Sequence, residues 1–379
     1  MLMKKKIAII GAGIAGLTLA NFLKKFSKHE FKVYERNESL PVEEGFGIQL
    51  STNSVKILNK IDFQKIKIEN TFNPEILDFK TLKNENITQL KLDQFNEKKT
   101  KYTTLKRSTL IEFLNKSVYT NYLYFNKEIK EVSEIKDKIL IKFNDNTNDL
   151  VDYVVGADGI FSNTKSFFEK KKNPPKFNKA LAIRLIFDSL PELDINKNNI
   201  TLLMGANTHL VFYPVNKAKA MNFVCVIRSN KFDQNNVNSL IEKVVLKQNK
   251  NLKSLFNSDF ISWPLYSSKR IFPSTNKKVF YIGDAFNGFL PTFAQGAGQS
   301  IESAYELFNL LNNQKIDISS QYYTKRLERV KKVKRRANLN FIFFHISNPF
   351  FQKVRNFLIK FLVNKNFFVK KYLGEIYKN

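Results

Sequence analysis

The spacing of apolar positions changes twice within the first 36 residues. KKIAII is a short unbroken apolar run and predicts a buried strand. GAGIAGLTLANFLKKF then carries its apolar residues at helical spacing, and FKVYER predicts a second strand. Together they make a β-α-β unit of about the usual 30 residues. EEGFGIQLSTNSVKILNKI predicts a loop that leads into an apolar-periodic helix. Alternation in ILDFKTL, ITQLKL and KYTTL predicts antiparallel strands over 76–105. RSTLIEFLNKSV predicts a helix with Arg107 or Ser108 near its cap, and LYFNKEIKEVSEI and KILIKFND predict further strands.

From about 180 to 265 the texture changes. KALAIRLIFDSL, NITLLMG, HLVFYPVN and AMNFVCVIRS read as strands separated by turn residues, with one helix at VNSLIEKVVLKQN. This pattern predicts an inserted, mostly antiparallel sheet domain. KVFYIGDAF then returns to the first architecture, a long helix follows from about 297 to 312, and 319–379 reads as helical and basic. The expected class is α/β. A Rossmann-type domain is assembled from 1–75, 101–179 and 266–318, a sheet domain from 76–100 and 180–265, and a helical C-terminal segment completes the chain. There are no internal repeats and no linker rich in Gly, Ser or Pro.

Composition narrows the function classes. With 379 residues, 43% of them hydrophobic, the chain is long enough for two or three domains and too apolar for wholesale disorder. A single cysteine, Cys225, excludes a disulfide framework and a Cys-cluster metal site. His29, His209 and His345 form no HExxH-like pair, so no metal centre built by the protein is expected. The start MLMKKKIAIIGAG has a basic and an apolar part but no cleavage site behind a proper apolar region, which points to a cytoplasmic protein. The most apolar stretch, ANLNFIFFHISNPFFQ, is too short to span a bilayer and carries Asn, His and Pro. A net charge of +28 would suit nucleic acid, an anionic membrane or acidic ligands. Lysine is spread along the whole chain together with Asn, Ile and Phe, however, with no single basic stripe. That distribution is a compositional bias, and no nucleic-acid partner is expected.

The chemistry lies in three strand-to-glycine elements. Gly11, Gly13 and Gly16 form GxGxxG directly after a strand and at the start of a helix. The first glycine permits a tight turn, the second lets a pyrophosphate approach the backbone, and the third lets helix and strand pack closely. Glu35 ends the second strand, placed to accept hydrogen bonds from ribose hydroxyls. VVGADGIFSNTK follows another strand, although taken alone Asp158-Gly159 reads by default as an ordinary Asp-Gly turn. The third element, YIGDAFNGFLPTFAQGAGQSIESA, sets Asp284 just past a strand and opens a helix at QGAG, whose free N–H groups can face an anion or a polarised oxygen. Two such elements so far apart mean either two nucleotides or one nucleotide held from both ends.

At these residues the chain resembles the class A flavoprotein monooxygenases, the group with the para-hydroxybenzoate hydroxylase fold. GAGIAG with Glu35, then Gly156-Ala157-Asp158-Gly159, then Gly283-Asp284 with Pro291 and Gly296, match that family's three fingerprints in order. GFGIQL, LKRSTL, HLVFYPV and LPTFAQGAGQSIESA look like its salicylate and 6-hydroxynicotinate hydroxylase branch. The resemblance implies one FAD held from both ends, with Gly11, Gly13, Ala15, Gly16, Glu35 and Arg36 around the ADP half. It implies Asp284 at the ribityl or pyrophosphate region, and Pro291, Gly296, Ala297 and Gly298 at the isoalloxazine. Arg107 is a further flavin contact or simply a surface arginine, and NADH or NADPH visits transiently near Asp158. The implied reaction is hydroxylation of an aromatic or similarly electron-rich ring with O₂ through a flavin C4a-hydroperoxide. A reductase or halogenase on the same fold, and a membrane-associated hydroxylase of a quinone precursor, are the alternatives.

His209 and Tyr213 stand four apart on one predicted strand, hence on one face. In the resembling branch such a pair lines the substrate pocket and binds or deprotonates a ring hydroxyl; otherwise they are a sheet histidine and a core tyrosine. Gln49 and Asn287 stand where that branch often has histidines, and Arg184 matches an arginine common in the family; the three are expected at the substrate. The segment 325–379 carries fifteen Lys and Arg against Glu328 and Glu375, interleaved with apolar clusters. It either packs on the flavin domain or touches the inner membrane face as an interfacial anchor.

Overall fold

The strand Lys6–Ile10 pairs in parallel with Glu30–Tyr34 on one side and Tyr153–Gly156 on the other. Val279–Tyr281 and Leu123–Tyr124 extend this ribbon to a five-stranded parallel sheet. The inner strands are short runs of Ile, Val and Ala, because both faces are covered and leave no solvent side to alternate with. Helices pack on one face, and the three-stranded antiparallel sheet of Ile129–Ile135, Lys138–Phe143 and Asn148–Val151 packs on the other, where Phe143 lies 4.5 Å from Tyr34. Helix Ile14–Phe26 packs on helix Gly296–Asn312, where the Phe22 ring lies 4.9 Å from Tyr305 and 5.3 Å from Phe308. The computed structural model describes residues 4–40, 46–118, 121–170, 174–188, 193–231, 233–313 and 317–378.

A seven-stranded sheet forms the second layer. Its order is Ile261–Ser267, Lys176–Phe187, Ala220–Arg228, Thr208–Val215, Ile200–Gly205, Ile76–Thr81 and Asn86–Lys91. All its pairings are antiparallel except that of Ile200–Gly205 with Ile76–Thr81. One face, with Leu210, Phe212, Phe223 and Cys225, is covered by the helical stretch 237–256. The other face, with Tyr213, Val224 and Val226, meets the C-terminal helices.

Helix Ile318–Phe344 ties the layers together. The Tyr322 hydroxyl donates to the Tyr281 carbonyl at 2.9 Å, and Arg326 and Arg329 converge on buried Glu302. Burial opposes the Glu302 charge, but Arg329 and Arg326 outweigh it and hold the carboxyl below its usual range. Helix Pro349–Val363 starts at Asn348, whose side-chain oxygen accepts from the Phe350 and Phe351 amides.

Two segments depart from the sequence pattern. Gly47–Leu50, expected within a loop, is a strand paired with Thr103–Lys106, which also pairs with Thr71–Phe72 rather than with the strands of 76–91. Two glycines give GFGIQL little strand propensity of its own, so a distant partner decides its conformation. Residues 43–45 of that expected loop, and the first three of the chain, lie outside the described residues. Ile261–Ser267 is a further edge strand, carried past a proline that an edge tolerates.

Candidate functional site

The three glycine elements leave the parallel sheet side by side. The Gly11 amide donates to the Tyr34 carbonyl at 2.8 Å, Ala157 to Ile10 at 2.7 Å and Ile282 to Gly156 at 3.0 Å. All three turns therefore sit at the carboxyl ends of neighbouring strands, where open α/β sheets bind their ligands. Gly11 has φ +107°, and a Cβ there would lie 2.6 Å from the Ala157 carbonyl oxygen. A Cβ on Gly16 would come within 2.0 Å of the Gly11 oxygen, whereas one on Gly13 would point into open space. The N-terminal turn is thus closed on its packing side and open where an anion would approach.

A cavity of about 250 Å³ brings Gly11, Gly13, Glu35, Arg36, Arg107 and Asp158 together. Glu35 accepts the Ala12 amide at 2.9 Å and the Asn37 amide at 3.1 Å, which braces the carboxylate and leaves it lone pairs for further donors. Asp158 is engaged within the protein. It accepts from the Ser162 hydroxyl at 2.5 Å and from the Thr164 amide and hydroxyl at 2.9 and 2.8 Å, anchoring helix Asn163–Glu169. Arg107 opens helix Arg107–Val118, and its amide donates to the Phe46 carbonyl.

The distant element reaches the same place. Gly283 has φ +58°, and a Cβ on it would lie 2.9 Å from both the Ala15 Cβ and the Ser300 Oγ, so the two glycine motifs are in contact. Asp284 follows. Solvent reaches its side chain, yet enough protein surrounds it that desolvation pushes the carboxyl up to about 6. The turn Pro291–Phe293 and Ala294, which takes a left-handed φ of 48°, aim the N-terminus of helix Gly296–Asn312. Its first turn is fixed from behind: Gln295 donates to Ser51 at 2.9 Å, and Gln299 links Glu302 to Arg326 at 3.0 and 2.8 Å. A Cβ on Gly296 would meet nothing within 4 Å. A glycine turn open to a pyrophosphate, a braced acid beside it and a helix N-terminus at the far end suit a dinucleotide held from both ends.

Comparison with known families agrees: the model of the FAD binding domain matches residues 4–337. The chain belongs to this FAD-binding family. Among curated proteins it is 26% identical to a 3-amino-4-hydroxybenzoate 2-monooxygenase of Streptomyces platensis, covering 93% of this chain and 92% of the relative. It is 24% identical to the 6-hydroxynicotinate 3-monooxygenase of Pseudomonas fluorescens, over 88% of this chain and 91% of that protein. Its fold is that of HpxO from Klebsiella pneumoniae, solved with FAD and uric acid, at a TM-score of 0.87 and 18% identity over 99% and 97% of the two chains. The protein is an FAD-dependent enzyme of the monooxygenase class, and NAD(P)H is the usual reductant in this family.

The second cavity of this FAD-binding chain, about 380 Å³, lies between the seven-stranded sheet, the Pro291–Ala294 turn and the C-terminal helices. Its lining is mainly aliphatic and aromatic, with Gln49, Tyr102, His209, Thr292, Asn340 and Tyr372 as its principal polar members. Tyr102 donates to Gln49 at 2.7 Å, and Tyr372 donates to Asn340 at 2.7 Å. His209 Nδ1 is 2.9 Å from His345 Nε2, and His345 Nδ1 is 2.6 Å from the Phe341 carbonyl oxygen. Desolvation pushes His209 well below its ordinary value and His345 down to about 4, so both rings are neutral near pH 7. The Phe341 carbonyl, 2.6 Å away, can only accept, and we assign the His345 proton to Nδ1 on that contact; in this tautomer Nε2 accepts from His209 Nδ1–H. The remaining nitrogen of His209, Nε2, is then an unprotonated acceptor.

Of the other expected substrate residues, only Gln49 lines this cavity. Tyr213 shares the strand face of His209, but its buried hydroxyl donates to the Gly47 carbonyl at 2.6 Å, and burial raises its pKa further. Arg184 sits by the rings of Phe46 and Trp263, 5.9 and 5.5 Å from their centres. Asn287 is buried beside Gly288, to whose carbonyl it donates at 3.4 Å. Tyr102, Thr292, Asn340 and His345 escaped the sequence reading because turns and helices remote from the strand deliver them. With only three histidines in the chain, a His209–His345 pairing was the one available signal.

Proposed function

We propose that this enzyme hydroxylates an electron-rich aromatic ring bound in the 380 Å³ cavity, with His209 as the acceptor for a ring hydroxyl. The hydrogen-bonded line from Phe341 through His345 to His209 carries this reading, because it leaves a fixed lone pair on His209. Bound FAD supplies the redox chemistry with NAD(P)H and O₂. The chain's own residues hold and screen. Gly11, Gly13, Ala15, Gly16, Glu35, Arg36 and Arg107 would hold the ADP half, with Asp158 shaping the wall. Asp284, Pro291 and the amides of Gly296, Ala297 and Gly298 would meet the other end. A ring O–H that donates to His209 Nε2 gains electron density as its proton moves toward the imidazole, which favours attack by the ring on an electrophilic oxygen. The apolar walls keep water from the reacting atoms. Tyr213 positions the Gly47 strand, and Arg184 and Asn287 act behind the cavity.

The relatives' named substrates, 3-amino-4-hydroxybenzoate and 6-hydroxynicotinate, both carry a ring hydroxyl and a carboxylate. No Lys or Arg occurs among the described residues that line this cavity, so a neutral phenol fits it better than an aromatic acid. In the same reading the C-terminal segment makes a peripheral contact with an anionic membrane. The test is NAD(P)H oxidation across matched phenols and hydroxybenzoates, with the products identified. Stimulation with hydroxylated product is expected for the phenols. Faster coupled turnover with the acids would reject a neutral substrate, and product-free oxidation with every ring would reject the hydroxylase reading.

A further inference from the structure

Helix Pro349–Val363 has two apolar sides, and only one of them is covered. Leu358, Ile359, Leu362 and Val363 line the substrate cavity. Phe350, Val354, Phe357 and Phe361 recur at helical spacing on the other side, and Phe350 and Phe357 are each 67% exposed. Phe351 beside them and Phe367 after the helix are also exposed, the latter by 78%. Of the fifteen large hydrophobic residues exposed among the described residues, eight fall within 339–367, so the patch is a cluster rather than background. Around it Lys353, Lys360, Lys365, Lys370 and Lys371 are exposed, with Lys365 over the Phe361 ring at 5.1 Å. Over 345–379 seven Lys and Arg face Glu375 alone, and Glu375 is paired with Arg336 and Lys332.

We propose that this helix beds its Phe350–Phe361 face in an anionic bilayer surface and that the cavity behind it takes a phenolic ring dissolved in that lipid. Charge selects the occupant. Two copies of this face would bring two sets of lysines together, whereas anionic headgroups complement the lysines and the acyl boundary takes the phenylalanines. No described helix is long and apolar enough to cross a membrane, so the contact is peripheral. One helix thereby separates lipid from cavity, and a ring passing along it from the acyl layer stays in apolar surroundings. The identity of the substrate rests on the hydroxylase reading; the docking itself does not.

The test is flotation of the full-length FAD-loaded protein with phosphatidylcholine vesicles, with and without phosphatidylglycerol, at low and high salt. Binding is expected to the anionic vesicles only, and to weaken with salt. A triple variant, Phe350→Ser, Phe357→Ser and Phe361→Ser, changes no residue that lines the cavity. It should bind on the order of tenfold more weakly while keeping its FAD content and its turnover of a water-soluble phenol. Lys353→Glu with Lys360→Glu should remove the preference for anionic lipid. No flotation with anionic vesicles at low salt, or equal flotation by the triple variant, overturns the proposal. So does a protein dimer that the triple variant abolishes in place of lipid binding. Flotation needs no turnover, so failed docking with coupled hydroxylation of soluble phenols leaves the hydroxylase reading standing, and the reverse result separates the two the other way.

Discussion

The neighbours of His209 decide which of its ring nitrogens carries the proton. His345 accepts at one nitrogen because the Phe341 carbonyl claims the proton on the other, so His209 is an acceptor before any substrate arrives. His209→Ala should leave the flavin absorbance unchanged and lower kcat/KM for a phenol by about 10²-fold or more, the usual scale for a lost general base. Hydrogen peroxide should then appear in place of product. Coupled turnover at the wild-type rate would make His209 a part of the scaffold. His345→Leu should resemble it more weakly, with His345→Gln, whose amide oxygen can still accept from Nδ1–H, restoring part of the rate. At the cofactor, Glu35→Ala and Asp284→Ala should each weaken FAD retention by about 1–3 kcal/mol, the cost typical of a lost charged hydrogen-bond partner. FAD titration of the apoprotein measures both. An Asp284→Ala protein with intact FAD affinity and altered NAD(P)H kinetics would mean that the two glycine motifs serve two nucleotides.

Helices work here through their ends and their backs. The first turn of Gly296–Asn312 can face a cofactor only because Gln295, Gln299 and Glu302 are tied to Ser51, Arg326 and Arg329 behind it. Glu302→Ala would take the carboxylate from Arg329, leaving it the carbonyls of Glu375 and Ile376, and would leave Arg326 with Gln299 and Glu306. It should cost up to about 3–5 kcal/mol of stability, the range for broken buried ion pairs. Urea unfolding would show it, together with a weaker hold on FAD. A loss below about 1 kcal/mol, the range of exposed pairs, would mean that water already screens the cluster. The helix Pro349–Val363 was legible in its sequence as apolar and basic, but periodicity alone leaves open whether its phenylalanines are core or surface. Packing divides them. Leu358 and Leu362 turn to the cavity, and Phe357 and Phe361 turn to solvent.

For the whole molecule, acidity tests the buried histidine pair. Both residues are held below the ordinary value of 6.5, His345 at about 4, so the folded protein binds fewer protons than the unfolded chain in between. Their contribution to stability is therefore complete above about pH 6.5; that of His345 is lost as the pH falls through about 4, and that of His209 is likewise lost on acidification. Denaturation midpoints followed across that window should drop more steeply for the wild type than for the His209→Gln, His345→Gln double variant; equal slopes would place the pair in water. The parallel sheet and the cofactor motifs could be read from the chain alone. Their signals are local: a buried Ile and Val run, glycines at the spacing of one turn, an acid at a strand end. Each is dictated by backbone geometry within a few tens of residues. The apolar cavity could not be read that way. Its polar groups come from strands at Gln49 and His209, a turn at Thr292 and helices at Asn340 and Tyr372, segments with no common period. Tyr213 lies on the face the pattern gave it, and Arg184 where the resemblance put it on its strand, yet a carbonyl 2.6 Å away and two flanking rings claim their side chains. Sequence determined which faces are apolar and where an anion can approach the backbone. Tertiary structure decided which side chains keep a free lone pair, because hydrogen bonds between distant segments form only once packing has brought them together.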